Sequence, residues 1–163
     1  MLRRIKMKIN IESASLEDFN AVNLIVKEGH DEHSDALPHI FKKVYQVMSK
    51  NYYCELSESK KCEILVAKFN GDVVGFAVME INESPPFESM TSRKYAYMSD
   101  FGVKSNCQRQ GTGRELFNAC VEWSKNKGTT SLELNVWEFN EKALSFYESF
   151  GMNSISRKMT LPF

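Results

Sequence analysis

The amino-acid sequence predicts an α/β (α+β) fold: a mixed, mostly antiparallel central sheet flanked by helices. Three observations carry this expectation. From Glu63 onward the apolar spacing changes from a helical period to the two-residue period of strands. Two β-rich runs, EILVAKF and VVGFAVMEI, are separated by Asn70-Gly71-Asp72, and Asn-Gly between such runs is a strong hairpin signal. Finally, a strand, a glycine turn, a helix and another strand follow one another over residues 94–137. A helix crossing between two strands of one sheet makes those strands parallel.

The elements follow in order. Residues 7–14 alternate Ile9 and Ile11 with polar neighbours, as a short strand does. Ser15 is placed to cap a helix over 15–33, with Asp18 at its third position and Phe19, Val22, Ile25 and Val26 as its apolar face. Ile40, Phe41, Val44 and Val47 are spaced for one face of a second helix over 38–50. The hairpin strands come next, and Pro85-Pro86 closes the second of them. Residues 94–103 read as a strand, and Leu116, Phe117, Cys120, Val121 and Trp123 carry helical periodicity up to Gly128. SLELNVW (131–137) alternates as a strand, 140–150 reads as a helix closed by Gly151, and MNSISRKMTL reads as a last strand. No repeat, linker or low-complexity tract interrupts the chain, so residues 1–163 are expected to form a single domain.

Composition narrows the function. Lys plus Arg equal Asp plus Glu at 21 each, so no global charge points to nucleic acid. Cys54, Cys62, Cys107 and Cys120 form no C-x-x-C pair and no zinc spacing, which suits reduced thiols in a cytosolic protein. MLRRIKMKIN is basic but lacks the apolar core of about 7–15 residues that a signal peptide needs. No run approaches the roughly 18 apolar residues of a membrane span. A cytoplasmic protein without membrane or nucleic-acid partners is expected. His30 and His33, three apart, lack a defined carboxylate partner, so no metal is expected.

The chemistry concentrates at NCQRQGTGRELF, where a glycine turn enters a helix. A helix N-terminus presents unpaired N–H groups and partial positive charge. Gly111 and Gly113 permit close backbone approach, and Arg109 and Arg114 can add charge-assisted hydrogen bonds, so the turn suits a pyrophosphate. It is not a P-loop, because no lysine and hydroxyl follow Gly113, and not a dinucleotide fingerprint, because Leu116 stands at the third glycine. What fits is Q-x-x-G-x-G, formed by Gln108, Gly111 and Gly113; a purely structural turn is the alternative.

Downstream lies N-x-x-A-x-x-F-Y-x-x-x-G, formed by Asn140, Ala143, Phe146, Tyr147 and Gly151. With a strand ending in Phe101 and Val103, then QRQGTG, this combination resembles the GCN5-related N-acetyltransferase (GNAT) superfamily over residues 95–152. The resemblance implies a GNAT-like fold, with a V-shaped splay between strands 94–103 and 131–137 that receives acetyl-CoA. It implies that the backbone of Phe101, Gly102 and Val103 pairs with the pantetheine arm, and that Gln108, Arg109, Gln110, Gly111, Thr112, Gly113 and Arg114 hold the pyrophosphate. Asn140, Ala143 and Phe146 would line the channel. Tyr147 would be the general acid for the departing thiolate, since a tyrosine of pKa about 10 is protonated at neutral pH. A core aromatic is the alternative for Tyr147. Where some members carry adjacent acids this chain has Ser99-Asp100, which leaves Asp100 as the candidate base, with Glu80, Glu133 or solvent as alternatives.

The implied activity is acetyl transfer to a primary amine of a small molecule or peptide, with a homodimer and a catalytically silent acyl-CoA-binding protein both compatible. The acceptor side would be shaped by the first helices, where Glu28, Asp31, Glu32 and Asp35 cluster, and by the loop carrying Phe87, Met90 and Tyr97. That acidic cluster reads either as an attractor for a polycationic amine or as a solvated helix end.

Overall fold

The computed structural model describes residues 8–163. Five strands form one sheet in the order β1-β2-β3-β4-β5: β1 Asn10–Ser13, β2 Cys62–Phe69, β3 Asp72–Glu83, β4 Lys94–Val103 and β5 Leu132–Leu134. The first four pair antiparallel, and β5 pairs parallel to β4. The mixed, mostly antiparallel sheet flanked by helices is borne out. The β2–β3 turn uses the conformation Asn-Gly favours, with φ of 51° at Asn70 and 89° at Gly71.

Two helices cover one face of the sheet: α1 Phe19–Ala36 and α2 Lys50–Glu58. A 3₁₀ turn, Leu16–Asp18, leads into α1. There Asp18 accepts the Ser15 amide at 2.9 Å, as the capping pattern suggested. Val22 and Ile25 from α1 and Tyr53 and Leu56 from α2 meet Ile64, Val66, Phe76 and Val78 of the sheet. The Tyr53 hydroxyl, fully inside this core, donates to the Ser15 carbonyl at 2.8 Å, which satisfies a polar group that would be costly to bury alone. The other face carries α3 Thr112–Asn126 and α4 Glu141–Glu148. Leu116, Phe117 and Cys120 of α3 pack on Leu65, Ala77, Met79, Ala96 and Met98.

Three expectations are corrected. The helix expected over 38–50 is not formed; only its last residue, Lys50, is helical, as the start of α2. One turn closes at Leu37, whose carbonyl accepts from Ile40 and Phe41, and the chain then runs irregularly to Ser49. Ser49 caps α2 by accepting the Tyr52 amide at 3.1 Å, so the helix starts where a capping serine permits it. The strand expected over 131–137 is only Leu132–Leu134, because its pairing with β4 ends at Met98 and Leu134. The strand expected from Met152 is not formed: among the described residues, 152–163 are irregular and 153–163 make no backbone–backbone hydrogen bond. The first strand spans Asn10–Ser13, and the expected residue Met7 lies outside the described residues.

Candidate active site

The site begins with one extra residue in β4. Opposite β3, Met79 pairs with Met98 but Val78 pairs with Asp100, so Ser99 is bulged out of the ladder. The β4–β5 pairing ends at the same place, with Met98 opposite Leu134. From there β4 stays on β3 through Val103 while β5 departs, which opens the sheet between two parallel strands. The splay expected between 94–103 and 131–137 is therefore present and starts at Met98 and Leu134.

The bulge also sets which side chains face which way. Side chains on a regular strand alternate, so Met98 and Asp100 would share a face. With Ser99 inserted they do not. Asp100 lies opposite Val78 of the α1 core, whereas Phe101 joins Met98 in the α3–α4 core. The Lys104 amide donates to the Val74 carbonyl at 2.8 Å, so alternation turns the N–H and C=O groups of Phe101 and Val103 away from β3, toward the opening. Both bear this out. The Phe101 N–H donates to its neighbour's carboxylate, Asp100 Oδ1, at 2.9 Å, and the Val103 carbonyl accepts Gln108 Nε2 at 3.0 Å.

At the mouth of the opening is the glycine turn. Arg109 and Gly111 take left-handed φ values of 61° and 96°, and Gly111 leads straight into α3. Among the described residues, no acceptor meets the backbone N–H of any residue from Arg109 to Arg114. The Thr112 hydroxyl beside them is buried and also lacks a partner. Nothing lies within 4 Å of where a Cβ on Gly111 would sit. Successive free amides in a turn with left-handed residues form a concavity that suits an anion, reinforced by the α3 dipole. A buried hydroxyl with no protein partner adds an unused donor next to these amides. Glu28 of α1 braces the approach to this turn, accepting the Ser105 amide at 2.8 Å. Arg114 does not reach over the concavity; its guanidinium stacks 4.6 Å from the Phe150 ring.

Beneath the opening, α4 supplies the remaining expected residues. Asn140 caps it, its Oδ1 accepting the Ala143 amide at 3.1 Å, which leaves the Nδ2 donors for another partner. Phe146 and Tyr147 pack with Phe101 and Phe117, the Tyr147 ring 5.3 Å from Phe146 and 5.8 Å from Phe117. Burial pushes the Tyr147 hydroxyl above its ordinary value, and Cys120 and Asp100 push the same way. Burial also raises Asp100 to about 6, against the Phe101 N–H and His33, which lower it. Desolvation is the larger effect.

An aromatic group that the sequence reading did not bring together, and whose Trp137 and Phe139 it did not single out, completes the α1 side. His33 of α1, Phe41 of the irregular loop, and Trp137 and Phe139 after β5 meet edge to face, with ring centres 5.3–5.6 Å apart. Tyr97 accepts Asn135 Nδ2 at 2.9 Å. Burial raises the Tyr52 hydroxyl pKa, and the nearby Glu80, Cys62 and Asp100 push the same way. The acidic cluster on α1 is largely compensated: Asp31 pairs with Lys27 at 2.6 Å and Asp35 with Lys43 at 2.7 Å. Glu133 is held by Arg93. His30 and His33 do not face a common guest, since each has a ring nitrogen on a backbone carbonyl, of Lys42 and Gly29 respectively. Among the described residues no three His, Cys, Asp or Glu side chains gather as a metal site. Likewise no described helix is long and apolar enough to cross a membrane.

A sheet opened between parallel β4 and β5, with a glycine turn of free amides at its mouth, defines the GNAT class of fold. The profile of the Acetyltransferase (GNAT) family matches residues 27–152, and the chain belongs to that family. Among curated proteins it is similar to the uncharacterized N-acetyltransferase YhfO of Bacillus subtilis, 29% identical over 94 residues, covering 58% of this chain and 60% of that one. It is also similar to the uncharacterized N-acetyltransferase MJ1207 of Methanocaldococcus jannaschii, 23% identical over 151 residues, covering 86% and 66%. The chain thus spans about two thirds or less of these relatives' lengths. Among solved structures, a mutant of the BH1408 protein from Bacillus halodurans superimposes with a TM-score of 0.92 at 26% identity, covering 94% of this chain and 99% of that one. The aminoglycoside N-acetyltransferase AAC(6′)-Iy in complex with CoA gives 0.69 at 14% identity, covering 94% and 98%; it shares the fold.

Proposed function

We propose that this chain, as one domain over residues 1–163, is an acetyl-CoA-dependent N-acetyltransferase acting on a primary amine of a small molecule or peptide by direct attack in a ternary complex. The observation that carries the reading is the coincidence of the opened β4 edge with the concavity of free amides from Arg109 to Arg114. In this reading those amides, with Gln108 and the Thr112 hydroxyl, hold the pyrophosphate, and the Phe101 and Val103 backbone groups receive the pantetheine arm as an added strand does. Asn140 Nδ2, Ala143 and Phe146 border the channel, and Gly102 lets β4 lie flat beneath α1. Acetyl-CoA supplies an activated carbonyl and a thiol leaving group.

The protein's own part is proton management. Asp100 opens toward α1 and, with a pKa of about 6, is ionised at neutral pH and able to accept a proton from an incoming ammonium, directly or through water. Tyr147 lies on the opposite face and, with its pKa raised, stays protonated and able to donate. Because the Ser99 bulge puts base and acid on opposite faces, the amine enters from the α1 side. There the wall is His33, Phe41, Trp137 and Phe139, and the neighbouring α1 carboxylates Asp31 and Asp35 are already paired. An aromatic wall beside one partly buried carboxylate favours a singly charged amine on an apolar or aromatic body over a polycation. Unpaired cysteines favour the cytoplasm, and the open β5 edge favours a homodimer.

The test measures acetyl-CoA consumption with an arylalkyl monoamine, a polyamine and a peptide N-terminus, in the parent and in Tyr147→Phe. The expected result is turnover of the monoamine, reduced about 100-fold in the variant with acetyl-CoA affinity kept. Binding of acetyl-CoA with no turnover of any amine would make the chain a silent acyl-CoA-binding protein. Turnover indifferent to Tyr147→Phe would remove that residue as the acid.

A further inference from the structure

Four side chains stand in a row across the sheet, just on the closed side of the splay. Cys62 of β2 is opposite Glu80 of β3, Glu80 is opposite Tyr97 of β4, and Tyr97 is opposite Glu133 of β5. Alternation puts all four on the α1–α2 face, because their neighbours Met79, Met98 and Leu134 belong to the α3–α4 core. Asp100 belongs to the next row on the same face, opposite Val78 and beside the opening. Glu80 and Asp100 are therefore diagonal neighbours, a relation that sets residues about 7–8 Å apart. The two glutamates of the row differ. Glu133 is neutralised by Arg93, whose guanidinium stacks 4.4 Å from the Tyr95 ring. Glu80 is half-buried, and among the described residues no hydrogen-bond or ion-pair partner meets its carboxylate. What surrounds it is phenolic. Burial raises the Tyr97 hydroxyl pKa and Glu80 adds to the shift, while Tyr52 of α2 lies within electrostatic reach of both rows.

We infer that Glu80 is a specificity-determining residue that holds the ammonium of the incoming amine, and that it is not the base. A half-buried carboxylate among phenol rings is stabilised by a cation, which gains from both the charge and the ring faces. One ammonium lodged between the two rows has Asp100 on the side of the opening and Glu80 on the other. Glu80 stands where β4 is still paired with β5, so it is set back from the place where an acyl group enters. Its task is to attract and hold charge. The nitrogen is positive when it docks and positive again when it has added to the carbonyl, so Glu80 stabilises both states alike and acts on KM rather than on kcat. The division of labour with Asp100 rests on the acetyltransferase reading; the ammonium seat itself does not.

The experiment compares the full chain with Glu80→Gln, which keeps the size of the side chain and removes its charge. Phenylethylamine is the probe, first as substrate with acetyl-CoA and then titrated calorimetrically without any acyl donor; phenylethanol is the uncharged control. The expected result is a KM for the amine raised about 10- to 100-fold, with kcat nearly unchanged. The inflection near pH 6 that belongs to Asp100 should be kept. The calorimetric Kd should rise by a similar factor, and phenylethanol should not distinguish the two proteins. An unchanged KM overturns the proposal. So does a loss of kcat together with the inflection, which would make Glu80 the base. If the parent acetylates no amine, the acetyltransferase reading fails by itself. Calorimetry then decides alone: amine binding weakened in Glu80→Gln supports the seat, and equal binding, or none by the parent, overturns it. Should Glu80→Gln not fold, the same measurements are read from Glu80→Asp, whose shorter side chain withdraws the carboxylate.

Discussion

At the scale of single residues, Asp100 joins two properties that can be measured apart. Its carboxyl titrates near 6 rather than at the ordinary 3.8, because burial outweighs the Phe101 N–H. Protonation is thus favoured by folding, so the associated stability is full below about pH 3.8 and is lost as pH rises through about 6. Asp100→Asn should therefore stabilise the chain at pH 8, by on the order of 1–3 kcal/mol, and change little at pH 4. Thermal melts of the two proteins at both values check this. If Asp100 is also the base, the parent's kcat/KM should rise through an inflection near pH 6 that the variant lacks. Asp100 and Tyr147 were legible in the sequence by their place in a motif. Their distribution to opposite faces was not, because alternation counted from Met98 cannot register a bulge at Ser99.

Among the elements, α1 and β4 meet closely at Gly102. A Cβ there would lie 2.9 Å from both Ile25 Cγ2 and Phe76 Cε1, inside the α1 core. Gly102→Ala should cost about 1–3 kcal/mol, read as a lower denaturant midpoint with unchanged slope. Elements were legible where local chemistry was decisive. Asn70-Gly71 dictated a turn, and the periodicity of Leu116, Phe117 and Cys120 dictated α3. Residues 38–50 misled because apolar spacing alone was followed. Ile40 and Val44 are at least a third exposed, while Phe41 turns to His30, His33 and Trp137, contacts distant in sequence. The capping serine at 49 was the better guide to a helix start. For residues 152–161, alternation specified a strand's two faces but carried no information about a neighbour.

For the whole molecule, ligand linkage gives the broadest check on the site. Acetyl-CoA at 100 times its Kd should stabilise the native chain by about 2.7 kcal/mol, and neither ATP nor NADH should match it. For a chain of this size that is a rise in Tm of roughly 5–10 °C. Absence of a shift would leave the free amides from Arg109 to Arg114 without their proposed guest. The glycine-turn side of the proposed site was readable in sequence because a helix entrance and its glycines are contiguous. The proposed acceptor side was not, because His33, Phe41, Trp137 and Phe139 come from three separated stretches that only the fold assembles.

Ser99 has one more implication. The pairing on either side of it is already consecutive on β3, Met79 with Met98 and Val78 with Asp100. A chain lacking this serine could keep every other partnership in that ladder and gain a more regular sheet. The entrance between β4 and β5 is thus a deliberate miscount, a single supernumerary residue that makes the sheet less perfect at the one place where perfection would seal it.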